Sequence, residues 1–90
     1  MKHLEVRYKP SFLREFKKLE TALQEEVREK LILFASPKNH TTLHVHKLHG
    51  LLTGRWSFSV NYRYRIVFTY EDKKKSIVVL LAIGDHKVYQ

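Results

Sequence analysis

Seven consecutive apolar residues, Ile77-Val78-Val79-Leu80-Leu81-Ala82-Ile83, lie near the end of this 90-residue chain and constrain everything before them. In an extended strand successive side chains point to opposite faces. A strand with no polar position therefore belongs in a sheet interior, with cover on both faces. The preceding residues must supply flanking strands and a second layer. Ninety residues suffice for one such core and not for two, so a single domain over 1–90 is expected.

Upstream patterning supplies those parts. Leu4-Glu5-Val6-Arg7-Tyr8 alternates apolar and polar, as a half-buried strand does. Pro10 and Ser11 open a helix in which Phe12, Phe16 and Leu19 recur at i, i+4 and i+7. Thr21 and Gln24 have capping-box spacing and mark a second helix. Its stripe is Leu23, Val27, Leu31 and Phe34, widened by Ile32 and Ala35. Pro37 disfavours helical geometry at Ser36 and ends it. Residues 38–53 are polar and rich in histidine, with Gly50 available for a turn. Trp56, Phe58 and Val60 then alternate with Ser57 and Ser59, and Asn61 marks a tight reversal. Tyr64, Ile66, Phe68 and Tyr70 form one face of the next strand, with Arg63 and Arg65 on the other. Glu71-Asp72-Lys73-Lys74-Lys75 is a charged hairpin loop whose lysines read as solvated turn surface. The predicted fold is α+β and two-layered: an N-terminal strand, a helical hairpin, and an antiparallel three-strand meander completing a curved four-stranded sheet. The face away from the helices is left to water.

Charge and composition narrow the function. Seventeen Lys and Arg oppose nine Asp and Glu, giving a net charge of +8. From His46 onward there are eight bases and only three acids, Glu71, Asp72 and Asp85. Such a surface attracts phosphate backbones, although solubility or an acidic protein partner accounts for the charge equally well. With no cysteine there is neither a disulfide framework nor a thiolate metal site, and a reducing cytoplasm is expected. Met1 to Arg7 has no apolar signal region, and no run approaches the roughly 20 residues of a membrane helix.

Several residues could carry chemistry. Arg65 is either an exposed strand residue paired with a glutamate or a guanidinium matched to phosphate. His40 and His44 read as surface loop histidines, and His46 stands where the chain enters the sheet. His44 and His46 share a face if this stretch is extended, but without cysteine and with few acids a zinc site is not expected. Trp56 could stack on a base, yet its parity with Phe58 and Val60 assigns it to the core. His86 and Tyr89 follow the apolar strand, where a histidine, titrating near neutrality, could transfer a proton. No Gly-rich phosphate loop, nucleophile elbow or carboxylate pair is present.

Taken together, Tyr8-Lys9-Pro10-Ser11-Phe12, Lys47-Leu48-His49-Gly50, Gly54-Arg55-Trp56-Ser57, Tyr64-Arg65-Ile66-Val67-Phe68 and Ile83-Gly84-Asp85-His86-Lys87-Val88-Tyr89 resemble the RelE/ParE superfamily of bacterial toxins from type II toxin–antitoxin systems. The resemblance runs from Leu4 to Tyr89 and is nearest the YafQ- and YoeB-like mRNA interferases. It implies an endoribonuclease that cleaves mRNA on the ribosome without a metal or other cofactor. It implies His46, Arg65, His86 and Tyr89 as catalytic residues, with Lys47, His49, Arg55, Arg63 and Lys87 binding substrate. The implied partners are a cognate antitoxin, mRNA and the ribosome, with DNA reached only through the antitoxin complex and no membrane. His86 matches the C-terminal histidine of YoeB- and YafQ-like members, and Arg65 a phosphate-binding arginine of YoeB-like ones. His46 stands where YoeB-like members have a glutamate and YafQ-like members a histidine. RelE itself relies more on lysine and arginine than this chain does. ParE-like members poison DNA gyrase instead, and an inactive antitoxin-binding co-repressor is a further alternative.

Overall fold

The computed structural model describes residues 3–50 and 53–85. Strand β1 (Glu5–Tyr8) leads into helices α1 (Pro10–Lys17) and α2 (Thr21–Phe34), then a 3-10 turn at Pro37–Asn39. Strands β2 (His46–Lys47), β3 (Trp56–Ser59), β4 (Tyr64–Tyr70) and β5 (Ile77–Asp85) follow. The sheet order is β1-β5-β4-β3-β2. The long apolar strand β5 is thus interior, between β1 and β4, as its composition requires. The α+β architecture is the expected one, with two differences in the sheet. A fifth strand, the two-residue β2, pairs antiparallel with β3. β1 runs parallel to β5, so the sheet is mixed.

Both helix boundaries have local causes. Pro10 occupies the first turn of α1, where its missing N–H costs no hydrogen bond. α2 ends one residue earlier than its apolar stripe, and its last carbonyls are satisfied by the chain that follows. Asn39 Nδ2 donates to Leu33 O at 2.9 Å and His40 Nε2 to Phe34 O at 2.8 Å. Leu4 N–H takes Ala35 O at 2.7 Å. Unmet carbonyls at a buried helix end would be destabilising. His40 is therefore half-buried and structural, stacked on Phe34 at 4.9 Å, and not the surface histidine its polar neighbourhood suggested. The expected capping box also fails to form. Glu20 is the N-cap, and Gln24 donates instead to Phe16 O at 3.1 Å, tying α2 back to α1.

The core lies between the helices and one sheet face. Phe34, Val27, Phe58, Ile66, Phe68, Val78 and Leu80 are all at or below 1% exposure. Phe34 stacks on Phe58 with centroids 4.2 Å apart and meets Phe68 edge-on at 4.8 Å. The opposite face is less bare than expected: Ser57 and Val67, which alternate away from the helices, are buried. The His46 side chain, lying against Ser57, supplies part of that cover.

Edge groups of β5 that outrun β1 are met by α1. β1 reaches only as far as Leu80, and beyond it the Ser11 hydroxyl donates to Leu81 O while Ile83 N–H donates to Glu15 Oε1. A register shift between Val67 and Phe68 places Ala82 and Leu80 on successive β4 residues, leaving Leu81 as the extra residue of a bulge. Side chains from one helix thus close an edge that would otherwise invite pairing.

Phe34→Ala should lower folding stability by about 3–5 kcal/mol, the usual cost of emptying a buried aromatic site, measured by urea denaturation. A second expectation concerns the β4–β5 hairpin. The Asp72 carboxyl, bonded by the Ser76 hydroxyl and the Ile77 and Ser76 N–H groups, is held below its ordinary value of 3.8. A depressed carboxyl stabilises the fold above its unfolded pKa and loses that contribution as pH falls through the lower folded value. Asp72→Ala should therefore flatten the acid limb of the stability profile below about pH 4, with no change in that limb as the contrary result.

Candidate active site

The register of β3 and β4 assigns the open face. Phe58 opposite Ile66 and Trp56 opposite Phe68 point toward the helices. Ser57 opposite Val67 and Ser59 opposite Arg65 therefore point away. His46 pairs with Ser57 and joins that face, while Lys47 pairs with Trp56 and joins the other. Gly84 of β5 lies opposite Arg65 and projects no side chain of its own.

Among the described residues Arg65 pairs with no glutamate. Its Nη1 donates to Asn61 O at 2.6 Å and Tyr64 O at 3.1 Å. Those carbonyls belong to the β3–β4 reversal, which Asn61 builds as expected. Its Oδ1 accepts the N–H groups of Arg63 and Tyr64, both at 2.8 Å, and its Nδ2 donates to Glu26 Oε1 at 2.8 Å. The turn is thereby pinned to α2, and the guanidinium to the turn. The remaining Nε and Nη2 edge of Arg65 meets no hydrogen-bond partner among the described residues, leaving a planar fork of the kind that grips phosphate.

His46 is oriented from behind. Its ring nitrogen Nδ1 lies 2.8 Å from His44 O, and because a carbonyl can only accept, Nδ1 carries the hydrogen. In the neutral ring Nε2 is then the acceptor. The Ser57 hydroxyl approaches it at 3.4 Å, a long contact that a better donor could displace. His44 adopts a left-handed backbone, φ 59°, which is uncommon outside glycine and breaks the extended geometry that would have set it beside His46 on one strand face.

His46 and Arg65 line one open hollow of about 630 Å³, together with Lys30 and Leu33 of α2, Leu43, His44, Ser59 and the turn residues Asn61 and Tyr62. No described carboxylate lines it. Lys30 and Tyr62 were not singled out by sequence patterning. Tyr62 is 92% exposed at the tip of the reversal, and a large aromatic between Asn61 and Arg63 in a predicted turn was the available signal. Lys30 reaches the hollow through tertiary packing that helix periodicity does not encode.

The other candidates are dispersed. Arg63 precedes β4, so strand alternation does not govern it; its guanidinium lies 5.6 Å from the Tyr64 ring, beside Lys18, Leu19 and Glu20 at the helix turn. Lys47 lies over Trp56, and His49 and Arg55 are exposed near the β2–β3 connection. His86, Lys87 and Tyr89 lie outside the described residues. Among the described residues, no helix is long and apolar enough to cross a membrane, and no three His, Cys, Asp or Glu side chains gather as a metal site.

No family model matches the chain, and no curated protein matches it in sequence. Solved structures do match in shape. A chain of the toxin–antitoxin complex RelBE2 from Mycobacterium tuberculosis is 23% identical, with a TM-score of 0.76 over 96% of this chain and 94% of that one. YafQ from Escherichia coli is 12% identical, with a TM-score of 0.74 over 93% and 94%. A chain of the archaeal RelE–RelB complex from Pyrococcus horikoshii is 19% identical, with a TM-score of 0.70 over 96% and 98%. The chain therefore has the RelE-like fold over nearly its whole length.

Long-range proton–nitrogen NMR should find the neutral His46 ring protonated on Nδ1. A ring protonated on Nε2 would remove the His44 contact and with it the oriented acceptor.

Proposed function

We propose that this chain is the toxin of a type II toxin–antitoxin pair, an endoribonuclease that cleaves mRNA on the ribosome and is held inactive by a cognate antitoxin. The observation that carries the reading is the hollow lined by both the His46 acceptor and the Arg65 fork, with no described carboxylate among its lining residues. Its likeness in fold to chains from toxin–antitoxin complexes supports the partner.

The reaction requires no metal. The RNA 2′-hydroxyl attacks the adjacent phosphorus, the bond to the 5′-oxygen breaks, and the products are a 2′,3′-cyclic phosphate and a 5′-hydroxyl. His46 Nε2 takes the proton from the attacking hydroxyl, displacing the long Ser57 contact. His86, two residues beyond the Gly84 that faces Arg65, gives a proton to the leaving oxygen. Arg65 binds the phosphate oxygens through Nε and Nη2 as charge builds on them. Tyr89 orients the scissile nucleotide. Lys47, His49, Arg55, Arg63 and Lys87 attract the flanking backbone and supply affinity without sequence choice. DNA is spared because it lacks the attacking hydroxyl.

Primer extension on ribosome-bound transcripts should reveal discrete new 5′ ends bearing hydroxyl groups. His46→Ala and His86→Ala should each slow cleavage on the order of 10²–10⁴-fold. Arg65→Lys should also fail, since a point charge does not replace the fork. Full cleavage by His86→Ala would overturn its assignment as the acid. Double-strand DNA breaks without RNA ends would replace the nuclease by a gyrase poison, and antitoxin binding without either effect would leave a co-repressor.

A further inference from the structure

We propose that Lys47 and Lys75, gathered on the Trp56 ring, form a second phosphate-binding site that holds single-stranded RNA backbone flanking the scissile link. The inference rests on the reading of RNA as substrate and assigns a place to residues outside the hollow.

The sequence offered the Lys73-Lys74-Lys75 run as solvated turn surface, but the geometry treats its last member differently. Lys75 Nζ lies 4.7 Å from the Trp56 centroid and 5.5 Å from that of Tyr70. Lys47 Nζ, from the edge strand β2, lies 5.9 Å from the same Trp56 ring. Trp56 is itself held edge-on against Tyr70 at 5.3 Å. The indole thus draws two ammonium groups toward one ring, each by a weak cation–π attraction. Like charges brought to one ring repel, and neither has a carboxylate partner among the described residues. The nearby acids are engaged elsewhere: Glu71 pairs with Arg7, and Asp72 accepts from Ser76 and Ile77. Two positioned cations lacking a counter-ion make an anion site.

The backbone adds a second observation. Lys75 sits at φ 58°, a left-handed conformation that glycine adopts without steric cost. The hairpin therefore has a lysine at a position whose geometry suits a residue with no side chain. Its location fits a strand of RNA leaving the hollow. Trp56 and Ser59, the partner of Arg65, are three residues apart on β3, about 10 Å. Because β2 is the sheet edge, His46 facing one side and Lys47 the other let a backbone pass from the hollow around that edge to Trp56.

The test is fluorescence anisotropy of the full chain with a labelled 2′-O-methyl oligoribonucleotide, which cannot be cleaved, over a range of KCl concentrations. Each phosphate contact on a single strand contributes about 0.7 to the slope of log K against log salt. Lys75→Gly should reduce the slope by about 0.7, and Lys47→Ala with Lys75→Gly by about 1.4. Lys73→Ala, off the ring, should change it by less than half as much as Lys75→Gly. Lys75→Gly should melt no lower than the parent, which separates lost binding from lost structure. An unchanged slope in the double variant, or an equal effect from Lys73→Ala, would overturn the second site while leaving the RNA reading intact. So would weakened binding confined to an acidic peptide. A parent chain that does not bind the oligonucleotide would instead remove the RNA reading and this inference with it.

Discussion

The stacking of Phe34 on Phe58, with Phe68 set edge-on against it, determines which way every residue of β3 and β4 faces. Side chains alternate along a strand, so a slip of one residue would exchange the two faces completely. It would bury Arg65 among aromatic rings and expose Phe58, Ile66 and Phe68. Burying an unpaired guanidinium is far more costly than leaving a phenyl ring in water. The same packing that makes the core thus also delivers a cation to the open face, and β2 adds a histidine beside it by pairing His46 with Ser57.

Charge is arranged on the same plan. A chain with a +8 balance could scatter its acids to neutralise its bases, yet three of its carboxylates serve backbone and turns instead. Glu15 accepts from Ile83 N–H, Glu26 holds the Asn61 amide, and Asp72 closes the β4–β5 hairpin. The three ion pairs among described residues all involve Arg7 or Arg28, away from the hollow. Arg65 is instead steadied by neutral carbonyls, which orient it without cancelling its charge. A positive charge is thereby left facing the hollow.

Much of the fold was legible because its causes are local. The unbroken apolar run of β5, the stripe of α2 and the Pro37 stop each follow from steric and periodic rules acting over a few residues. The short strand β2 was not legible, because two residues carry no usable period and their pairing depends on β3 already being in place. The spacing of Thr21 and Gln24 misled for a similar reason: a tertiary bond from Gln24 to Phe16 O displaced the local cap. His40 was hidden because its polar neighbours gave no sign of the helix carbonyl above it. At the site, Arg65 and His46 could be named from the resemblance, whereas Lys30 and Tyr62 join them only through folding. The roles of His86, Lys87 and Tyr89 rest on sequence alone.

In the proposed reaction one phosphodiester is held between the Arg65 fork and imidazole rings on either side of it. A crystal structure of the chain with an uncleavable 2′-O-methyl oligoribonucleotide tests it most directly. A single phosphate should be bonded by Arg65 Nε and Nη2, with His46 Nε2 beside the methylated 2′-oxygen and His86 beside the 5′-oxygen. A phosphate bound elsewhere, or the two rings on opposite sides of the sheet from each other, would contradict it.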